Sequence, residues 1–144
     1  MAREDLRVTK ILETCLYARD LVAAEKFYTE VLGLELHARD PGRYVFLRCG
    51  SQMFLIFDPE VTELPGRTVP AHGARGPGHV AFAIPGADLA AWRRHLARCG
   101  VAIEEAADWA AGRGQSIYFR DPAGNSVELI TPSSWGIDEA SVFA

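Results

Sequence analysis

The chain has 144 residues, of which 49% are hydrophobic and 24% charged, and its formal net charge is -4 at pH 7. These values exclude a disordered chain and predict one globular domain, residues 1–144, large enough to bury a core. Basic residues are scattered among acidic ones, and no apolar run has the roughly 18 residues of a membrane span, so we expect neither nucleic acid nor a membrane as a partner. Residues 1–10 lack the pattern of a signal peptide, and the expected location is the cytoplasm.

The first half of the chain predicts a strand, a helix and three more strands. Residues 11–17 alternate like a strand, and Asp20 is a candidate N-cap for a helix whose apolar spacing continues to Leu32 before Gly33. Three strand-like runs follow between turn signals, at residues 34–38, 43–49 and 53–57. The predicted unit is βαβββ, at about residues 9–59.

The second half repeats this order, at about residues 78–132. A strand is predicted at 79–84 and a helix at 87–98, with Asp88 near its start. Three strands are predicted to follow, at residues 101–104, 115–120 and 126–131. The Pro- and Gly-rich linker at about 60–77 is expected to be a surface loop or a flap over a site.

The two halves resemble an internal duplication, because helix starts and helix ends match in the same order. The predicted fold class is therefore α+β, with two tandem βαβββ modules forming a curved mixed sheet around one pocket. Alignment of the two modules pairs Glu13 with His79 on the first strands, and Leu55 with Glu128 on the last strands. Three of these four side chains can bind a metal ion.

Three motifs of the sequence resemble the vicinal-oxygen-chelate superfamily, which includes glyoxalase I, extradiol dioxygenases and bleomycin-binding proteins. They lie at residues 20–34 (Asp-Leu to Phe-Tyr and Val-Leu-Gly-Leu), 78–82 (Gly-His-Val-Ala-Phe) and 118–129 (Tyr-Phe-Arg-Asp-Pro-Ala-Gly-Asn-Ser-Val-Glu-Leu). The resemblance covers about residues 9–132. It implies a pocket that binds a small molecule, and it implies a homodimer, because relatives with two modules commonly dimerise.

The resemblance also implies a metal site. In metal-dependent members, the residues matching His79 and Glu128 are ligands, and Glu13 stands where the family usually has His. One imidazole and two carboxylates suit one divalent ion, such as Fe, Mn, Zn or Mg. The alternative for Glu13 is a strand residue that faces solvent.

Leu55 departs from the pattern of glyoxalase I, where a metal-binding Glu takes part in proton transfer. Without that carboxylate, the glyoxalase I mechanism lacks its base, so glyoxalase I itself is disfavoured.

Ser116 and Tyr118 are the candidate catalytic residues, because strand alternation places them on one face. Tyr118 precedes Glu128 by ten residues, and a hairpin closed at 121–125 would set the two side chains opposite each other. The Tyr118 phenol is then placed to donate a hydrogen bond to a substrate oxygen. Ordinary packing within the strand is the alternative interpretation of both residues.

Two classes of function remain open at this point. The first is a divalent-metal-dependent enzyme of dioxygenase, lyase or isomerase type, which binds its substrate through oxygen atoms. The second is a metal-free small-molecule-binding protein of the bleomycin-resistance type. Its aromatic groove would draw on Phe82, Trp109, Tyr118 and Trp135. The tail at residues 133–144 could pack on a partner or on its own pocket.

Overall fold

The computed structural model describes residues 6–143, which form two four-stranded sheets and four helices. The first module consists of β1 (Glu13–Tyr17), α1 (Leu21–Glu30), β2 (Glu35–Asp40), β3 (Tyr44–Cys49) and β4 (Gln52–Phe57), followed by the short helix α2 (Pro59–Thr62). The second consists of β5 (His79–Ala83), α3 (Leu89–Arg98), β6 (Glu105–Trp109), β7 (Gly114–Arg120) and β8 (Ser126–Ile130), and α4 (Glu139–Phe143) lies in the tail. None of the helices in the described part is long and apolar enough to cross a membrane.

The two sheets have the same topology, with strand orders β1-β4-β3-β2 and β5-β8-β7-β6. In both sheets the first strand pairs in parallel with the last strand of its module, which sets Glu13 opposite Met53 and His79 opposite Ser126. Because the registers agree, Leu55 and Glu128 also occupy equivalent positions, two residues further along the last strands. The predicted fold class of two duplicated βαβββ modules is confirmed.

Helix α1 begins as the sequence predicts and ends slightly earlier. The Asp20 carboxylate accepts a hydrogen bond of 3.0 Å from the Ala23 backbone N–H, which is the expected N-cap contact. The helix ends at Glu30, although the apolar pattern continues to Leu32. Gly33 has a φ of +72°, a left-handed conformation in which a side chain is disfavoured. The reversal at this glycine directs the chain into β2.

Two predicted boundaries in the second module are wrong. Residues 101–104 form no strand; the strand is β6, at Glu105–Trp109. The alternation of Val101 and Ile103 reflects their packing against the core rather than pairing with β7. The sequence of β6, Glu-Ala-Ala-Asp-Trp, has residues that are depleted in strands, so it gave little sign of an edge strand. The helix predicted from residue 87 begins at Leu89, after a 3-10 turn at Gly86–Asp88.

A buried tyrosine joins the two modules. Tyr28 of α1 is fully buried, and its phenol donates a 2.7 Å hydrogen bond to the Asp121 carboxylate of the second module. Asp121 also accepts a 2.9 Å hydrogen bond from the Asn125 side-chain amide. The same amide donates a 3.2 Å hydrogen bond to the Tyr17 carbonyl. Burial, together with the Asp121 carboxylate, raises the pKa of Tyr28 far above its usual range, so the phenol keeps its proton.

We expect Tyr28→Phe to lower the free energy of unfolding by about 1–3 kcal/mol, because a buried carboxylate loses a donor. Tyr44→Phe is the control, since Tyr44 is only partly buried and no hydrogen bond of its phenol is found within residues 6–143; it should cost less than about 0.5 kcal/mol. Urea denaturation monitored by circular dichroism measures both values. Equal losses in the two variants would contradict a role for the Tyr28–Asp121 bond.

Candidate functional site

Two predicted metal ligands meet at the edge where β5 and β8 run side by side. The Nε2 atom of His79 lies 3.2 Å from Oε1 of Glu128. The His79 side chain is 51% exposed, whereas that of Glu128 is 7% exposed. A buried carboxylate therefore faces a ring nitrogen that solvent and small molecules can reach.

The hydrogen bond on the other side of the His79 ring fixes its tautomer. Its Nδ1 atom lies 3.0 Å from the Ser126 carbonyl oxygen, which can only accept, so Nδ1 carries the hydrogen. In the neutral ring, Nε2 then presents a lone pair toward the carboxylate oxygen of Glu128. Two acceptors that face each other need a proton or a cation between them. In metal sites, a ligating His usually donates a hydrogen bond from its other ring N–H to a carboxylate, a backbone carbonyl or water.

The second oxygen of Glu128 is held from the opposite side. Ser116, which is 1% exposed, donates a 2.6 Å hydrogen bond from its hydroxyl to Oε2. The indole N–H of Trp109 donates a 2.8 Å hydrogen bond to the same Ser116 oxygen. Ser116 was predicted as a catalytic residue, and the structure places it behind Glu128 rather than in the open pocket.

Tyr118 lies beside both members of the pair. It is opposite Glu128 in the ladder between β7 and β8, as the hairpin prediction required, and its ring stacks on that of His79 with 6.3 Å between centroids. Burial raises the pKa of Tyr118, and the Glu128 carboxylate raises it further. The phenol is therefore a proton donor near neutral pH.

A cavity of about 340 Å³ opens in front of these side chains. It is lined by His79, Ala81, Trp109, Tyr118, Glu128, Ile130, Ser134 and Trp135. All belong to the second module or the tail, so the tail packs on its own pocket. Sequence reasoning missed Ala81 and Ile130, although each lies two residues from a predicted ligand and so on the same strand face.

Phe82 does not join the aromatic wall that the sequence suggested. It lies on the other face of β5 from Ala81 and packs against the core, with its ring 5.4 Å from that of Phe54. The other three aromatic residues that the sequence suggested do line the cavity: Tyr118, Trp109 at 40% exposure and Trp135 at 78%.

The tail approaches β7 at a glycine. A Cβ atom added to Gly114 would lie 2.0 Å from the Ser134 hydroxyl oxygen and 2.5 Å from the Ser134 Cα and backbone nitrogen. Next to this contact, the Gln115 backbone N–H donates a 3.0 Å hydrogen bond to the Thr131 hydroxyl. The absence of a side chain at residue 114 therefore lets the 3-10 turn at Pro132–Trp135 reach the pocket.

We expect Gly114→Ala to destabilise the protein by about 1–3 kcal/mol, because the new methyl group meets backbone atoms that cannot rotate away. Gly73→Ala is the comparison variant: the three atoms nearest its methyl all belong to the exposed Glu63 side chain, with Cγ at 2.6 Å, so a side-chain rotation relieves the contact and the loss should be smaller. Thermal unfolding of both variants measures the difference. A Gly114→Ala protein as stable as Gly73→Ala would show that the tail does not depend on this contact.

The third predicted ligand lies on the other sheet. Glu13 is exposed on β1, in the first module. Within residues 6–143, no three His, Cys, Asp or Glu side chains are grouped so as to hold a metal ion, so Glu13 does not join His79 and Glu128 in one chain. Leu55, which is 8% exposed, also lies on the first sheet.

Two side chains of the linker between the modules have partners, one on the first sheet and the other within the linker. His72 is 2.6 Å from the Tyr17 phenol through Nδ1, and Arg75 donates two 3.0 Å hydrogen bonds to the Glu63 carboxylate. Burial is the main reason that the pKa of Tyr17 rises to about 12. Both of these loop side chains therefore have partners within the chain.

Comparison with known proteins agrees with this architecture. The chain is similar to lactoylglutathione lyase from Agrobacterium tumefaciens, whose crystal structure superposes with a TM-score of 0.86. The two sequences are 41% identical, and the match covers 90% of this chain and 98% of that one. The fosfomycin resistance protein FosX of Listeria monocytogenes shares the fold, with a TM-score of 0.65 and 18% identity over 87% of this chain and 94% of that one.

The sequence is also similar to MhqE of Bacillus subtilis (strain 168), a candidate ring-cleaving dioxygenase. The two are 33% identical over 99 residues, 62% of this chain, and this match spans 31% of the length of MhqE. The family model of the Glyoxalase/Bleomycin resistance protein/Dioxygenase superfamily matches residues 10–129. The chain belongs to the glyoxalase/bleomycin resistance protein/dioxygenase superfamily.

Proposed function

We propose that this protein is a divalent-metal-dependent enzyme that performs lyase or isomerase chemistry on a small substrate held through its oxygen atoms. The observation that carries the proposal is the approach of two side chains that can bind a metal ion, His79 and Glu128, whose Nε2 and Oε1 atoms lie 3.2 Å apart. Each is oriented from behind, His79 by the Ser126 carbonyl and Glu128 by the Ser116 hydroxyl. This donor set fits a divalent cation.

We further propose that Glu13 of a second copy supplies the third ligand, in a homodimer. One chain provides two ligands, and the first sheet presents Glu13 on a face that is not covered by its own helix. The same face carries partly buried aromatic side chains: Tyr44 stacks on Phe46 with 4.0 Å between ring centroids, and Phe46 contacts Phe57. Placing this face on the pocket of another copy would bury these rings and complete the ligand set.

The type of chemistry is inferred from the donors. One imidazole and two carboxylates form a set rich in oxygen, whereas iron enzymes that activate O₂ commonly use two His and one carboxylate. A divalent ion held there supplies Lewis acidity, which stabilises negative charge on the substrate oxygens that it binds. This favours lyase or isomerase chemistry over ring cleavage.

The residues of the chain have separate roles in this proposal. Tyr118 donates a hydrogen bond to the substrate oxygen that gains negative charge, since its phenol keeps its proton. Ser116 holds the Glu128 carboxylate. Trp109, Trp135 and Ile130 give the cavity an apolar wall against which a small substrate can pack.

Substrates suggested by the names of the relatives are the first to test. Lactoylglutathione lyase suggests an α-keto hemithioacetal, and the name of MhqE suggests a catechol. Leu55 argues against the glyoxalase I reaction in its usual form, because no carboxylate stands at the position equivalent to Glu128. Acyl-CoA thioesters complete the set of substrates.

Metal stoichiometry tests the proposal directly. Protein purified without chelator should hold about one divalent ion per chain, and His79→Ala and Glu128→Ala should each lose it, because a remaining donor pair binds weakly. His37→Ala is the matched control, since His37 is exposed on β2. Inductively coupled plasma mass spectrometry gives the count. Absence of a stoichiometric ion in the wild type, or its retention in His79→Ala, would refute the metal site.

A metal-free binding protein is the second candidate, favoured by the exposed indoles of Trp109 and Trp135 around the cavity. It predicts quenching of tryptophan fluorescence by flat aromatic ligands in the presence of chelator. Ligand binding that requires added metal would exclude this candidate.

A further inference from the structure

We propose that Trp109 is a positioning residue, whose indole N–H acts through the Ser116 hydroxyl to hold the Glu128 carboxylate in the orientation that binds the metal ion. The inference rests on the proposed metal site. It gives Trp109, which also lines the cavity, a second role: to orient the metal-binding residue Glu128 without touching it.

The direction of the two hydrogen bonds is fixed by chemistry. An indole N–H can only donate, so the Ser116 oxygen accepts from Trp109 at 2.8 Å. The Ser116 hydrogen is then directed away from the indole and toward Glu128 Oε2, 2.6 Å away. A serine hydroxyl otherwise rotates freely, and the indole removes that freedom.

The effect on Glu128 is to separate the tasks of its two oxygens. Oε2 accepts the hydrogen bond from Ser116, while Oε1 faces His79 Nε2. Ser116 is 1% exposed and the Glu128 side chain 7% exposed, so water does not compete for the bond to Oε2. The carboxylate is thus held for binding an ion through Oε1.

The backbone holds Trp109 in place for this role. Trp109 is the last residue of β6 and pairs with Gly114 across the hairpin. The turn that follows has positive φ at two residues other than glycine, Ala110 at 48° and Ala111 at 53°. Such left-handed residues each cost on the order of 1 kcal/mol, and the chain keeps two of them at the point where the indole enters the pocket.

Metal affinity and coordination geometry test the inference. Co²⁺ is titrated into wild type, Trp109→Phe, Ser116→Ala and Trp135→Phe, with visible absorption as readout. We expect the first two variants to bind Co²⁺ about tenfold or more weakly, with altered absorption bands, as is typical when a supporting hydrogen bond is lost. Trp135→Phe is the matched control for metal affinity: it alters the same pocket wall outside the Trp109–Ser116–Glu128 relay. Wild-type affinity in Trp109→Phe would overturn the inference.

The relay, meaning the two hydrogen bonds that link Trp109, Ser116 and Glu128, can also be tested without metal. Of the three tryptophan indole signals in ¹H–¹⁵N spectra of the metal-free protein, that of Trp109 should shift in Ser116→Ala and in Glu128→Gln, while that of Trp92 in α3 stays in place. If wild type binds no Co²⁺, the metal proposal fails by itself, and an unmoved Trp109 signal overturns the relay. A thermal scan of each variant shows that it is folded.

Discussion

Glu13→Ala and His79→Ala chains, each unable to bind metal, should recover binding when they form mixed dimers. Glu13 lies on the first sheet and does not group with His79 and Glu128 in one chain, so we propose that the ligand set comes from two copies. In a mixed dimer, the Glu13→Ala chain keeps His79 and Glu128, while the His79→Ala chain supplies Glu13. One metal site of the mixed dimer therefore has all three ligands, and the other site lacks both Glu13 and His79.

Two affinity tags on co-expressed chains allow the mixed dimer to be purified and its metal content counted. We expect about one ion per mixed dimer, against about two in the wild-type dimer and near zero in either variant alone. The control pairs His79→Ala with Glu128→Ala. Because those two ligands come from the same chain, no set is complete and no ion should be recovered. Failure of the first pair, or recovery in the control pair, would refute a shared site.

The fold could be predicted because its signals are local and repeated. Asp20 and Gly33 bound the first helix, and residues in β2 and most of β3 alternate between more exposed and more buried positions because one face of the sheet is covered by the core. The duplicated motifs then fixed which residues are equivalent, and the strand registers agree with that alignment. The position of β6 was not predicted because an exposed edge strand needs no apolar pattern.

The site was predictable in its residue types but not in its assembly. His79, Tyr118 and Glu128 come together because strands β5, β7 and β8 are neighbours, which the hairpin spacing indicated. Glu13 belongs to a separate sheet, and the packing of one module on the other is decided by long-range contacts such as Tyr28–Asp121, which no local pattern encodes. The Trp109–Ser116 bond depended on β6, whose position was predicted wrongly.

Tyr118→Phe should lower kcat by about 100-fold while leaving metal content unchanged, because it removes a proton donor and no ligand. The phenyl ring can still stack on His79, so KM should change little. The measurement is steady-state turnover of α-keto hemithioacetals, acyl-CoA thioesters and catechols by protein loaded with Mn or Fe(II).

Tyr28→Phe provides the contrast for this prediction, since it removes a phenol that lies in the core between the modules. It should lose stability but retain its turnover rate below its unfolding temperature, whereas Tyr118→Phe should do the reverse. The two losses separate because one hydroxyl satisfies a buried carboxylate and the other faces the pocket beside His79. A Tyr118→Phe enzyme with the wild-type kcat would show that Tyr118 only lines the pocket and that another group donates the proton.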